Sequence, residues 1–473
     1  MSWPESLRPV RMERIALVVP AERTRDVLAR VASAGVVEFD LPDVDGVPGP
    51  ARQRLEALNA GAGVVARLSV TEPDLDGWVA TGRVDLLAGE AELERVADGA
   101  IRQGPVVGFV GWTPASQLPR LGQALAHAGG GVARLRRPGG SPPPTLLAEH
   151  VAGRAFDPLV GTYATVPYAD VDPSLLAGLS YVVMFGMMFG DAGQGLVLVL
   201  AGLLVRSERV GRLAPISRLW PFVVGCGLTS VVFGILFGEF FGPTGVLPVV
   251  WLSPLDEPVT LLTAGLCTGA LLLAGAYALG SVNRVREGGW GYALYARSGI
   301  AGSLLFLALA MVAAGIFWSR SFLLWSGAAA ALVGLLLAFV GRLAAAGGGG
   351  SGTIQAVVET FDFAIRLGTN VLSFARLAAF GLTHAALSAI VWTATMTLWD
   401  RGWLGAFAAV GVFVIGNAFT FVLEALVSGI QALRLEYYEL FSRVFESEGR
   451  PFLPWHIPAM SAPGASIDRE AFG

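Results

Sequence analysis

Seven apolar runs, each long enough for a membrane span of about 20 residues, fill the chain from Ser174 onward, and nothing else limits its fold as strongly. They cover 174–205, 219–241, 259–282, 298–318, 321–341, 355–397 and 405–445. The last two hold 43 and 41 residues. That is roughly 60 Å of helix at about 1.5 Å per residue, against a hydrocarbon core of about 30 Å. Helices of that length are expected to be strongly tilted or to project well beyond the bilayer. Composition agrees. Charged residues are 15% of the chain, against roughly 25% in soluble domains, and the mean hydropathy is +0.61.

The first run holds 32 residues, awkward for one span, and Gly190-Asp191-Ala192-Gly193 interrupts it. A charge set among glycines predicts a helical hairpin. Arginine placement supports that choice, because loops facing the cytoplasm are enriched in basic residues. With a hairpin, Arg206, Arg209, Arg212, Arg218, Arg284, Arg286, Arg297 and Arg342 share one side, and only Arg320 and Arg401 lie on the other. Eight against two predicts eight membrane helices with both termini cytoplasmic. A single span would instead export the N-terminal region, and residues 1–20 carry no apolar stretch of the signal-peptide kind.

Before the break near Asp172-Pro173 the pattern changes. Arg14–Val19, Glu22–Ala34 and Val36–Phe39 read as strand, helix and strand, and Pro105–Gly111, Ala115–Ala128 and Gly131–Leu135 repeat the unit. Ala51–Leu68 and Glu90–Arg102 read as a short antiparallel helical arm, and Gly139–Pro144 as a linker. The expected fold class is a small cytoplasmic α/β domain, residues 1–172, followed by an α-helical polytopic membrane domain, residues 173–473, of about eight helices.

Several classes are excluded. All 33 basic residues are arginine, so no lysine is available for a Walker A phosphate loop. A net charge of −4 gives no footprint for nucleic acid. Cys226 and Cys267 sit in apolar runs and suggest no disulfide framework. No cofactor or metal is expected.

Charges inside the long runs carry the chemistry. Arg376 stands at the midpoint of 355–397, among Phe374, Leu377 and Phe380. A central arginine costs at least about 2.5–3.5 kcal/mol on insertion scales and keeps its charge, so it must face protein, water or a carboxylate. A structural ion pair within the bundle would also satisfy it. Glu424 lies one residue from the midpoint of 405–445, and Ser428 and Gln431 share its face. Arg434 follows roughly 15 Å further along, and His384 lies roughly 12 Å beyond Arg376. Asp362 and Arg366 form an i, i+4 pair. Any one of these reads equally well as a satisfied bundle residue; two opposite central charges on two overlong helices describe an ion pathway with a fixed positive barrier. Asp191 and Glu239 each follow Phe-Gly and read as structural acids capping broken helices.

These residues resemble a known family. The segment Ser373-Phe374-Ala375-Arg376-Leu377-Ala378-Ala379-Phe380-Gly381-Leu382-Thr383-His384 and onward to Ser388 is similar to the arginine-bearing segment of subunit a (subunit I) in V-type and A-type rotary ATPases. Phe185–Asp191 with Gly193 and Gly195 resembles the first membrane hairpin of that family. Glu424–Arg434 resembles its last helix, Gly111-Trp112-Thr113-Pro114 a motif of its soluble domain, and Pro144–Leu147 with Tyr163–Pro173 its entry to the membrane. The resemblance implies a stator subunit in a bacterial plasma membrane. Its partners would be a rotating proteolipid ring, peripheral stalks and a central-stalk cap subunit, and it would have no nucleotide catalysis of its own. Arg376 would draw the ion from each passing ring carboxylate, Arg434 would be the second positive group facing the ring, and Glu424, Gln431 and His384 would line half-channels. Two departures stand out: the arm is abbreviated, and Arg366 replaces a usual amide. The competing readings are a stand-alone secondary transporter gated by Arg376 and Glu424, against which no internal repeat is found, and a membrane scaffold.

Overall fold

The computed structural model describes residues 9–41, 48–58, 64–69, 71–137, 142–147, 156–207, 217, 219–296, 298–347, 349–445 and 449–458. Arg209, Arg212, Arg218 and Arg297 of the charge count, and part of the 139–144 linker, lie outside them. The chain divides into two compact units, one from Pro9–Leu147 with the segment starting at Gly449, the other from Ala148–Glu448.

The smaller unit runs β1 (Met12–Pro20), α1 (Thr24–Ala34), β2 (Glu38–Phe39), α2 (Pro50–Ala57), α3 (Leu75–Ala80), α4 (Val84–Asp98), β3 (Ile101–Gln103), β4 (Val106–Pro114), α5 (Leu118–Ala126) and β5 (Gly131–Arg134). Its sheet is antiparallel, in the order β2-β4-β1-β5, with β3 also on β4. Each predicted strand–helix–strand unit is present but split. A strand of the other unit sits between its two strands, the arrangement of the split βαβ motif. Ile15, Leu17 and Val19 alternate inward from β1 and meet Val27, Leu28 and Val31 of α1 and Leu121 and Leu125 of α5. The two helices read as an arm occupy Pro50–Ala57 and Val84–Asp98, and Leu93 and Val96 of α4 lie in this same core. Residues 101–103 are strand, because Ile101 pairs with Gly108.

Residues 449–458, from far along the chain, complete this unit. Phe452 N donates to Thr145 O, Leu453 N to the Glu38 carboxylate, Trp455 N to Val37 O and Ile457 N to Ala32 O. The Trp455 ring packs edge-on against Phe39, centroids 5.4 Å apart, and Ile457 is buried in the core.

The larger unit is helical: α6 (Asp157–Tyr163), α7 (Ser174–Met188), α8 (Ala192–Arg206), α9 (Trp220–Phe237), α10 (Pro258–Tyr295), α11 (Ile300–Phe317), α12 (Ser321–Ala345), α13 (Gly349–Ser373), α14 (Ala375–Trp399) and α15 (Trp403–Leu435), followed by a π-helical turn (Glu436–Phe441) and a last short turn, α16 (Ser442–Val444). Six helical stretches among the described residues are long and apolar enough to cross a membrane, counting α13–α14 as one and α15 through α16 as one. α7 and α8 are apolar but hold only 15 residues each; the predicted count of eight includes them. The hairpin is tight because Gly234 of α9 lies against the backbone of Asp191 and Ala192, where a Cβ would overlap both. The 355–397 run is not one straight helix. It breaks at Phe374, where N–H groups reach back three residues instead of four: Phe374 N bonds Val371 O, and Leu377 N bonds Phe374 O.

Candidate functional site

The helical unit assembles its polar residues into two clusters at different heights along α14. At the first, Arg376 is the second residue of α14, immediately after the break. The Phe374 ring is fully buried and fills a notch on α10 left by Gly269. Arg376 and Arg434 of α15 border one open groove of about 770 Å³, together with Ser373, Tyr437, Tyr438 and Glu439. Among the described residues neither guanidinium has an ion-pair or hydrogen-bond partner. Each guanidinium therefore faces an open space.

The second cluster is closed. His384 of α14 bonds through Nδ1 to the Glu424 carboxylate of α15, and both side chains are buried. The Phe189 ring packs at a tilt against the imidazole, centroids 5.2 Å apart and planes at 52°. Asp191, at the hairpin tip, is fully buried and accepts three backbone N–H bonds: Oδ1 from Gln194 at 2.8 Å and Phe241 at 3.0 Å, Oδ2 from Gly242 at 2.7 Å. It thus caps α8 and ties it to the loop after α9. Glu239 differs from the expected helix cap. Its backbone carbonyl accepts from Ala192 N, while its carboxylate stands with Asp191 and His384, one ligand-type atom of each within 4.8 Å of the others.

The other predicted residues scatter. Gln431 is half-buried, with a carbonyl oxygen lacking a partner. Asp362 pairs with Arg366 at 2.7 Å on the exposed face of α13.

Four further residues join the clusters, and a fifth, Glu436, is buried near neither. Gln194 donates to Asn417 at 3.3 Å and Thr420 at 3.4 Å. The signal was in the spacing, because Asn417 and Thr420 extend the face of Glu424, Ser428 and Gln431 by two turns at the same three-to-four residue interval. Glu439 reaches the arginine groove because the wider π-helical turn shifts the facing residues, which no spacing rule anticipates. Glu436 is fully buried and accepts from Ser180 Oγ at 2.8 Å.

The model of the V-type ATPase 116kDa subunit family matches residues 102–241 and 350–457, which contain the hairpin, both clusters and the returning segment. The chain is 25% identical over 485 residues to the A-type ATP synthase subunit I of Methanocaldococcus jannaschii, covering 93% of this chain and 68% of that protein. It is 24% identical to the subunit of the same name from Pyrococcus horikoshii, covering 78% of this chain and 57% of that one. Over 167 residues it is 34% identical to V-type ATP synthase subunit I 2 of Treponema pallidum, covering 33% of this chain and 36% of the relative. The chain thus spans about two thirds of the length of these relatives or less.

Proposed function

The chain belongs to the V-type ATPase 116kDa subunit family, and we propose that it is the stator membrane subunit of a rotary ion pump, carrying the half-channels past which a proteolipid ring turns. The observation that carries this reading is the pair of free guanidiniums, Arg376 and Arg434, on one open groove. A carboxylate brought into that groove is stabilised in its ionised form and gives up its ion. When it leaves, it must recapture one, since a bare carboxylate is costly in hydrocarbon. The fixed positive charges also repel cations that would cross directly between the two sides.

Along α14 the His384–Glu424 pair lies roughly 12 Å from Arg376 at 1.5 Å per residue. Its position suits a half-channel that supplies or drains the ion, with Gln194, Asn417 and Thr420 as its polar wall. Coupling would run through the ring to a catalytic head, with peripheral stalks and a central-stalk cap subunit as partners, in a bacterial plasma membrane. The smaller unit incorporates residues from both sides of the helical unit in sequence, which supports an even number of crossings; the arginine asymmetry then puts both flanking regions on the cytoplasmic side.

The test is disulfide crosslinking in assembled complexes. A cysteine replacing Ile430 or Leu433, which border the groove, should crosslink to cysteines on the carboxylate-bearing helix of the ring subunit, and a cysteine replacing Ser326 should not. Absence of ring crosslinks at both groove positions would overturn the reading.

A further inference from the structure

We propose that Asp191, Glu239 and His384 form a binding site for one divalent transition-metal ion of the zinc type, with Glu424 holding the histidine from behind. Three observations converge. The ligand-type atoms of the three residues lie within 4.8 Å of one another, and all three side chains are buried. His384 Nε2 and Glu239 Oε2 are shielded from solvent and have no hydrogen-bond partner. Asp191, Glu239 and Glu424 place three carboxylates around a single imidazole, and no arginine pairs with any of them among the described residues.

Burying that much negative charge in an apolar bundle is costly unless it is compensated. Protons can do so, and so can a cation. The donor set favours a specific kind of cation. An imidazole nitrogen with two carboxylate oxygens is a ligand set for zinc, whereas hard ions prefer oxygen alone. Because Glu424 occupies Nδ1, Nε2 is the nitrogen left to coordinate, and a carboxylate behind a metal-bound histidine fixes its tautomer and raises its basicity. The three backbone N–H donors on Asp191 hold that carboxylate in place, so little ordering remains to be done on binding. An ion seated here would immobilise His384. That it would thereby stop transport rests on the function proposed above; that it binds does not.

The test uses the purified full-length chain in detergent with zinc chloride as the only probe. Equilibrium dialysis followed by elemental analysis should find about one zinc per chain. X-ray absorption should show a nitrogen and oxygen shell at about 2.0–2.2 Å with imidazole scattering. Glu239→Gln should abolish binding, and Glu424→Gln should weaken it by about 10–100-fold. Thermal unfolding checks that each variant is folded, and zinc should raise the Tm of the unaltered chain but not of Glu239→Gln. No bound zinc, or zinc retained equally by folded Glu239→Gln, would overturn the site: the cluster would then hold protons only. Zinc bound without any effect on ATP-driven transport in the complex would instead count against the half-channel role and leave the site standing.

Discussion

The ring of Phe374 occupies the space that a side chain at Gly269 would fill. This contact fixes the point at which α13 ends and α14 begins, and Arg376 follows two residues later. Gly269→Val should therefore push Phe374 out of its notch and misplace the guanidinium. We expect assembly to persist while ATP-driven ion uptake falls at least about tenfold, because a displacement of about 1 Å at a reacting group costs up to 10²-fold. Adding Phe374→Ala should recover part of the loss, since the two sites are in contact and non-additive. Gly275→Ala, on the same helix, where an added Cβ would meet only Leu176 Cδ1 at an ordinary 4.0 Å, should leave uptake unchanged.

Arg376 itself should be indispensable. Arg376→Ala should abolish coupled uptake at matched complex levels, and Arg376→Lys should retain only a few per cent. Lysine offers a compact charge that deprotonates when desolvated, where the guanidinium does not. Glu424→Gln should be milder, because water can carry an ion past one missing carboxylate. Vesicle uptake assays read all three, and near-normal uptake by the alanine variant would refute the rotary role of this residue.

The residues that gather in the helical unit were partly legible in the sequence. The arginine, the glutamate and the histidine stand out because a charge in the middle of an apolar run demands a reason. The helix break at Phe374 was not legible, since Ser373 and Phe374 carry no glycine or proline and the break is imposed by the notch on α10. Glu239 read as a cap because it follows Phe-Gly, as Asp191 does. Only the loop after α9, which sends two backbone N–H groups to Asp191, decides which of the two acids is satisfied and which is left facing His384. The split of the two β-α-β units was likewise hidden, because alternation identifies strands but not their neighbours.

A pH effect is expected at Asp170, which precedes α7. Its carboxyl is fully buried and pushed up to about 8, chiefly by burial and then by Glu287, against the pull of Arg284. A raised carboxyl pKa means that the folded state prefers the protonated form. Its contribution to stability is full below about pH 4, the unfolded value, and declines as pH rises toward about 8. Asp170→Asn should flatten the dependence of Tm on pH across that window. An unaltered slope in the detergent-solubilised variant would show that Asp170 is ionised throughout.

The segment that returns to the smaller unit should contribute measurably to its stability. Ile457→Ala should cost about 2–5 kcal/mol, and Trp455→Ala about 3–5 kcal/mol, less any part of the ring left in water. Limited proteolysis of the full-length protein should then cut within residues 9–147 much faster than in the unaltered chain. Equal rates would show that the segment merely rests on a finished domain.

That last contact also sets an order of events during synthesis. Leu147 leaves the ribosome long before Ile457, with every apolar helix in between, and at about 5–20 residues per second the wait is about 15–60 s. Throughout that time Ala32, Val37 and Glu38 lack the backbone donors, and α1 and Phe39 the two apolar side chains, that this segment brings. Most of the smaller unit is therefore translated before any of the apolar helices, yet it is completed only after all of them. A chain whose membrane helices insert wrongly, leaving its end on the opposite side, never closes this domain and keeps an apolar seam open to proteases. Closure of the smaller unit would thus report where the far end of the chain has come to lie.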